Sequence, residues 1–540
     1  MSAFLRYFKK VMVAVLVFTG ILPATIQAEE GAVVNVHIDV EVATLDHNIA
    51  TDGTSFEVIG SLIQGLMTLD PDGNAIPGIA ESYEVSEDGT VYTFKLREAV
   101  WSNDAPVTAN DFVFSWQRLA NPDTASEYSF ILEAAGVLNA SEVASGDKAL
   151  EELGVKALDD KTLEVTLARP VAFFIDLLAF SPLYPLNEEF YNSVGDQYAT
   201  APDKILSNGA FVLASYEPAA SAFELKKNDK YYDADNVHLG GLKYQVIKDS
   251  QQAVLAYQTG QVDVVSLTGE QVELFKADPE FKTVPAGYVW FVAPNNEVAG
   301  LENADLRLAL ALAFDREVIA NNVLKDGSNA ASYFIPTDLA NGPDGKDFRE
   351  TAGDGPLVTD VAKAQEHFEK AKEALGQDTF TYSLVVEDTE SAINVAQSLE
   401  AQIEANLPGV DIVLEQMPKK TRLQRMQDGD YELALHRWGP DYRDPTTNLQ
   451  LLETNSNYNN MNWSNADFDA LYEAVTVGDL VDKPEERWAA MIEAENIALS
   501  EAAIFPIYQK GSAVLVKSNV KGVDFMTVGT NRIFVRATKD

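Results

Sequence analysis

Cysteine is absent from all 540 residues, and this omission sets the terms on which the chain can fold. No disulfide can staple its loops, no thiolate can hold structural zinc, and no cysteine nucleophile is available. Stability therefore has to come from burial. With hydrophobic residues at 46% of the sequence, a chain of this length can enclose several cores, so two or three lobes are expected.

The N-terminal stretch reads as an export signal. Arg6, Lys9 and Lys10 precede an apolar run from Val11 to Leu22, and Ile26-Gln27-Ala28 supplies a small-residue cleavage site. The run is about 12 residues, short of the ~20 that span a bilayer. The expectation is cleavage near Ala28 and release, with no cysteine to carry a lipid anchor. Net charge is −43, which sets nucleic acid and anionic membrane surfaces aside as partners.

Gly, Pro and Asn/Asp clusters punctuate the chain at short intervals, as in a mixed α/β protein, and no repeat or low-complexity tract interrupts them. From Tyr83 to Arg97 a turn at Glu87-Asp88-Gly89 joins two alternating runs, which reads as a β-hairpin with Tyr92, Phe94 and Leu96 on its buried face. After Asn303, Leu306, Leu310, Ala313 and Phe314 share one face of a helix predicted to run to about Val323. A second helix is predicted after Thr359, with Val361, Ala364, Phe368, Ala371 and Leu375 as its stripe and Gly376 as its left-handed stop.

The usual catalytic constellations are missing: there is no G-x-S-x-G, H-E-x-x-H, P-loop or G-x-G-x-x-G pattern. His37, His47, His238, His367 and His436 lack metal-ligand spacing, and Asp70-Pro-Asp-Gly-Asn74 is a turn rather than a calcium loop. No cofactor or metal is expected. One stretch differs: HRWGPDYRDP, His436 to Pro445, sets Trp438, Tyr442 and two arginines around Asp441 in a Gly-Pro-broken loop after the strand-like YELAL. It reads either as a binding loop or as a rigid turn closed by local Arg–Asp pairs.

Long stretches carry a resemblance. AESYEVSEDGTVYTFKLREAVWSNDAPVTANDFVFSWQRLANPDTASEY (Ala80 to Tyr128), VKALDDKTLEVTLARPV, SNGAFVL, LKKNDKYYD, AYQTGQVDV, LENADLRLALALAFDREVIANNVLKDG and YELALHRWGPDYRDPTTNLQLL together resemble family 5 solute-binding proteins. The likeness is to the oligopeptide-binding members, and it covers nearly the whole chain after the export signal. It implies a type II periplasmic-binding-protein fold: α/β, two lobes joined by a hinge, with an extra inserted domain, three in all. Domain I is expected at 29–54, 188–287 and 509–540, domain II at 55–187 and domain III at 288–508, with crossings near Leu186, Tyr288 and Tyr508.

The function implied is capture of short peptides in the periplasm for an ABC importer, by a monomer that is not an enzyme. The peptide would add as an extended strand between the lobes. By the same resemblance Asp441 receives the ligand's α-amino group, and Trp438, Gly439 and Arg437 line the cleft beside it. Tyr128 corresponds to a cleft tyrosine from the second domain, and Glu41 to an acid on the first domain's strand. Where relatives place groups for the ligand's C-terminal carboxylate, this chain has Met426, Leu435 and a site near Ala392. Lys419, Lys420, Arg422, Arg425 and Arg437 are replacement cations or a solvated basic face, and Arg437 stands where the family often has glycine. Other ligand classes within the family are murein peptides, dipeptides, opines, sugars and nickel, and a periplasmic peptidase is the alternative outside it.

Overall fold

Phe281–Pro294 and Phe505–Val516, rich in β-branched and aromatic residues, form the two longest strands among the described residues and pair antiparallel. The computed structural model describes residues 31–540 apart from Ala172, so the predicted export signal lies outside it. These two strands run through an 11-stranded sheet. At one end, Val264–Leu267 pairs with Ala513–Val516 and leads on to Val33–Ile38, Gly241–Val246, Ala222–Lys227 and Phe211–Ser215. At the other end, Val289–Pro294 pairs with Leu433–Trp438, which leads to Phe380–Glu387 and Val410–Met417. The register slips between Pro285 and Val289, so the two halves of the sheet meet across an irregular joint.

A separate four-stranded antiparallel sheet follows the order Ala80–Val85, Val91–Leu96, Thr162–Thr166, Val155–Asp159. Its first two strands are the predicted hairpin, with Tyr92, Phe94 and Leu96 buried as expected. The helix Ala109–Ala120 covers it. Asp111 reaches back to the Thr108 N–H at 2.9 Å and also accepts from Trp101 Nε1 at 3.0 Å, which fastens the helix start to the preceding loop.

One hydrophobic core joins this inserted sheet to the first half of the large sheet. A second core, from Val289 to Tyr508, fills the C-terminal lobe. Tyr442 crosses over: although it comes from the C-terminal half, it belongs to the first core and stacks on Phe173 at 4.4 Å. No helix among the described residues is long and apolar enough to cross a membrane.

The helix at Val361–Leu375 ends at Gly376 as predicted, with φ 65°, and the structure adds Asp360 as the cap at its start. The helix after Asn303 is shorter than expected. It covers Ala304–Leu312, and the chain restarts as Arg316–Val318 and widens into a π turn at Ile319–Leu324. The break has a local cause. Asp315 caps the new turn through the Val318 N–H, and Arg316, buried, donates to the carbonyls of Ala311 and Pro506. An unbroken apolar stripe does not reveal that the arginine on it turns inward.

The C-terminal lobe also rests on a buried ion pair. Glu495 accepts the N–H groups of Phe334 and Ile335 at 2.9 and 2.8 Å while its other oxygen pairs with Arg349. Glu495→Ala leaves two backbone donors and a guanidinium unsatisfied and is expected to cost about 3–5 kcal/mol. Lys370→Ala, which breaks an exposed pair with Glu366, is expected to leave stability close to that of wild type because solvent screens the pair. Urea unfolding of that lobe compares the two.

Candidate functional site

Pro440 ends strand pairing by lacking an N–H, and the two residues after Trp438 turn the chain away from the large sheet. The strand itself runs on through Trp438, so His436, Arg437 and Trp438 are strand residues rather than part of the loop. Gly439 is required by packing: a Cβ there would come within 2.5 Å of the Tyr288 ring. The same ring presses on Gly53, whose Cβ would meet the Tyr288 hydroxyl at 2.4 Å.

This turn delivers Asp441 into the protein, 6% exposed. Its N–H donates to Thr447 Oγ1 at 2.9 Å, and Trp438 Nε1 donates to the Thr447 carbonyl at 2.8 Å, so one short helical turn brackets both residues. Tyr128, from the inserted segment, donates its hydroxyl to Asp441 Oδ1 at 3.0 Å. Asp441 Oδ2 is buried with no hydrogen-bond partner. Burial pushes the Asp441 carboxyl up to about 8, against the opposing effect of the Tyr128 hydroxyl. Burial, followed by the neighbouring Asp441 charge, holds the Tyr128 hydroxyl well above the usual range.

Aromatic rings wall this carboxyl. Tyr458 packs edge-on to Trp438 at 5.1 Å and tilted against Tyr128 at 5.9 Å, and Phe56 and Phe180 pack on Tyr128 at 5.7 and 5.3 Å. A cavity of about 80 Å³ adjoins, lined by Asp441 and by residues of the Gly53–Leu62 helix, the 176–184 segment and the 528–535 segment.

Trp438, Gly439, Asp441 and Tyr128 thus come together. Arg437 is beside them on the strand but is held elsewhere: it donates to Glu387 at 2.7 Å and stacks over Trp290 at 4.6 Å. Glu41 differs from expectation. The first strand ends at Ile38, and Glu41 lies beyond it, partly exposed and paired with Lys248 at 3.3 Å. Local Arg–Asp pairs do not close the turn either: Arg443 donates to Asn74 and to the Asp72 carbonyl, and Asp444 pairs with Arg487.

The basic residues are not a solvated face. Arg422 is 1% exposed and lies 3.5 Å from Glu387, while Lys419 pairs with Asp52 at 3.3 Å. Met426, Leu435 and Ala392 are buried near or within this lobe's core, and Met426 Sδ lies 3.2 Å from the Arg422 guanidinium. Only Lys420 is freely exposed among the five, Arg425 pairing with Glu415 and Asp430. Burial alone would raise the Glu387 carboxyl, but Arg437, Arg422 and Lys419 overcome it and hold the group down at about 2. His436, beside Arg422 at 2.8 Å, is driven well below its ordinary value by burial and then by these cations, so it is neutral. Asp52 and Glu387 were not singled out in the sequence. Asp52 carries the local signal of a helix cap before Gly53-Thr54-Ser55, and Glu387 carries none.

The model for bacterial extracellular solute-binding proteins, family 5 Middle, matches residues 74–460. The dipeptide-binding protein of Lactococcus lactis subsp. cremoris (strain MG1363) is 32% identical over 510 residues, covering 91% of this chain and 92% of that protein. Listeria monocytogenes OppA bound to peptide matches with a TM-score of 0.89 at 34% identity, over 94% of this chain and 99% of that one. Against the unliganded open form of the periplasmic murein tripeptide binding protein MppA the TM-score is 0.65 at 27% identity, with coverage still 95% and 98%. The lobes are therefore set as in the peptide-bound relative, and the fold is the two-lobed α/β type implied by the sequence. This chain belongs to the family 5 bacterial extracellular solute-binding proteins, and it is a binding protein rather than an enzyme.

Proposed function

We propose that this protein captures short peptides in the periplasm and hands them to an ABC importer, with Asp441 receiving the peptide's α-ammonium group. The observation that carries this reading is the buried, unpartnered Oδ2 of Asp441. A carboxyl enclosed in this way costs about 1–3 kcal/mol for the missing hydrogen bond alone. A cationic donor arriving as the lobes close removes that cost.

Two further features support it. The Leu433–Trp438 strand pairs with Phe380–Glu387 only at Leu433 and Ala434, while its ladder with the 281–294 strand continues to Trp438. From Leu435 onward one edge of the strand is therefore free to accept an extended ligand beside Asp441. In addition, the proposed domains 55–187 and 288–508 are bridged at the site by Tyr128–Asp441 and by the Phe173–Tyr442 stack, and Asp52–Lys419 ties the proposed first domain to the third. A ligand held at Asp441 favours the closed form through contacts that the open form lacks. Short peptides are the ligand class in this reading, and the likeness to a dipeptide-binding protein and to a peptide-bound OppA supports it.

Asp441→Asn is expected to weaken peptide binding by about 2–5 kcal/mol, since the ammonium loses its charge partner. Titration calorimetry checks this, and a variant that binds as tightly as wild type removes Asp441 from the site. Native mass spectrometry of protein taken from its own periplasm is the companion measurement: a sugar or metal in place of peptide overturns the ligand class.

The raised Asp441 carboxyl also gives binding a pH dependence of definite sign. In the closed, empty form the carboxyl is neutral below about 8, and pairing with an ammonium ionises it, so filling the closed site releases up to one proton. Affinity then rises with pH, about tenfold per unit at most, until the peptide's own amine deprotonates near 8. Unloaded stability has the opposite slope: the contribution of this group is full below the unfolded value near 3.8 and is lost as pH rises through about 8. Calorimetry at pH 6.5 in buffers of different ionisation enthalpy is expected to show proton release in wild type and none in Asp441→Asn.

A further inference from the structure

The turn Asp70-Pro-Asp-Gly-Asn74 joins the paired strands Met67–Leu69 and Ala75–Pro77, and its shape is fixed from within. Asp70 accepts the N–H groups of Asp72 and Asn74 at 2.9 and 2.8 Å and the side-chain amide of Asn74 at 3.0 Å. Because the Asn74 nitrogen is committed to Asp70, the amide oxygen is the end left for another partner. Gly73, at φ 78°, leaves an open face beside it. The turn is thus a ready-made pair of acceptors, the Asn74 amide oxygen and the Asp72 carbonyl.

Arg443, 369 positions on, fills both acceptors. Its two terminal nitrogens donate to Asn74 Oδ1 and to the Asp72 carbonyl, each at 3.1 Å, and the guanidinium lies over Gly73, where a Cβ would stand 3.3 Å from Nη2. The residues on either side of Arg443 are firmly held, Tyr442 by its stack on Phe173 and Asp444 by two bonds to Arg487 at 2.7 and 2.9 Å. Asp176 faces the same cation: burial raises its carboxyl, and the Arg443 charge opposes that rise. Neither residues 72–74 nor Arg443 line the cavity beside Asp441, so the contact is made by protein groups alone and needs no ligand.

We propose that Arg443 and the 70–74 turn form a latch between the lobes, which raises the fraction of empty molecules that are closed and so sets how readily the cleft shuts on a ligand. The assignment rests on the proposed domains 55–187 and 288–508 lying on opposite sides of the cleft. A hinge rotation that parts them draws the guanidinium out of the turn, so both hydrogen bonds belong to the closed form. Charge-assisted bonds at a solvent-exposed rim are partly screened, which keeps the bias modest, about three- to tenfold in the closed-to-open ratio. Where the closed form is the one that holds ligand, loss of the latch weakens apparent affinity by up to the same factor.

The chain contains no cysteine, so two introduced ones, Glu84→Cys and Glu373→Cys at exposed positions of the two proposed domains, carry a dye pair at unique sites. Single-molecule energy transfer on the empty protein then counts closed and open forms. Arg443→Met, which keeps the stem and removes the donors, is expected to lower the closed-to-open ratio about three- to tenfold. Asn74→Ala, changed from the other side, lowers it too, and the double variant falls no further than Arg443→Met alone. An empty wild type with no closed molecules, a ratio unmoved by Arg443→Met, or losses that add in the double variant overturns the latch. A mixture of random di- to pentapeptides is expected to close wild type, with Arg443→Met needing up to about tenfold more of it for half-closure. A mixture that leaves the wild-type signal unchanged overturns the capture reading and not the latch, because the ratio is read on empty protein.

Discussion

A carboxyl group shut inside the protein with only one of its oxygens satisfied is the constraint around which the lobes are arranged. Asp441 is placed by backbone chemistry, through Pro440, Gly439 and the Thr447 bracket, so it does not depend on the other lobe for its position. Its partner does. Tyr128 lies 313 residues earlier in the chain and reaches Asp441 only when the inserted segment is docked. In the enclosed geometry burial favours the protonated carboxyl, and in the proposed reading a ligand's cation takes that proton's place. On that proposal the proton and the ammonium compete for one enclosed place, which would tie ligand capture to closure without any relay between distant sites.

Electrostatics around the cleft is zoned, although the chain as a whole carries −43. On the Asp441 side, acids and acceptors outnumber cations. A few residues away, Arg437 on the strand before Asp441 joins Arg422 and Lys419 from the 419–427 helix around Glu387 and neutralises it, and Lys419 also pairs with Asp52. The low dielectric of the interior keeps the two regions distinct, where a surface of this overall charge would be averaged by salt. Total charge therefore says little about what the site attracts.

How far the site could be read from sequence follows the reach of each interaction. The Gly-Pro break after Trp438, the acid two residues later and the bounding strand are local, and they drew attention to Asp441 before any contact was known. The hairpin of the inserted sheet and the capped helix at Val361–Leu375 were legible for the same reason, because periodicity and caps act over a few residues. Tyr128 was reached only through resemblance. Glu387 was missed because its meaning comes from Arg437, 50 positions on, and from Arg422. Sequence leaves the basic residues open between a solvated face and buried partners because a basic stripe looks the same in either case, and the strand expected to carry Glu41 stops three residues short of it.

The Tyr288 ring shows why hinge and site behave as one unit. It stands within the register slip between Pro285 and Val289, where the two halves of the large sheet join. One part of it contacts Gly439, which leads into the Asp441 turn, and its hydroxyl contacts Gly53, the first residue of the helix capped by Asp52. Neither glycine tolerates a side chain against that ring, so the turn and the helix are seated on opposite parts of the same rigid group. A rotation at the joint displaces both together. The turn that carries Asp441 is thereby seated on the irregular joint of the large sheet, which in the proposed reading makes the enclosure of Asp441 depend on the angle between the lobes.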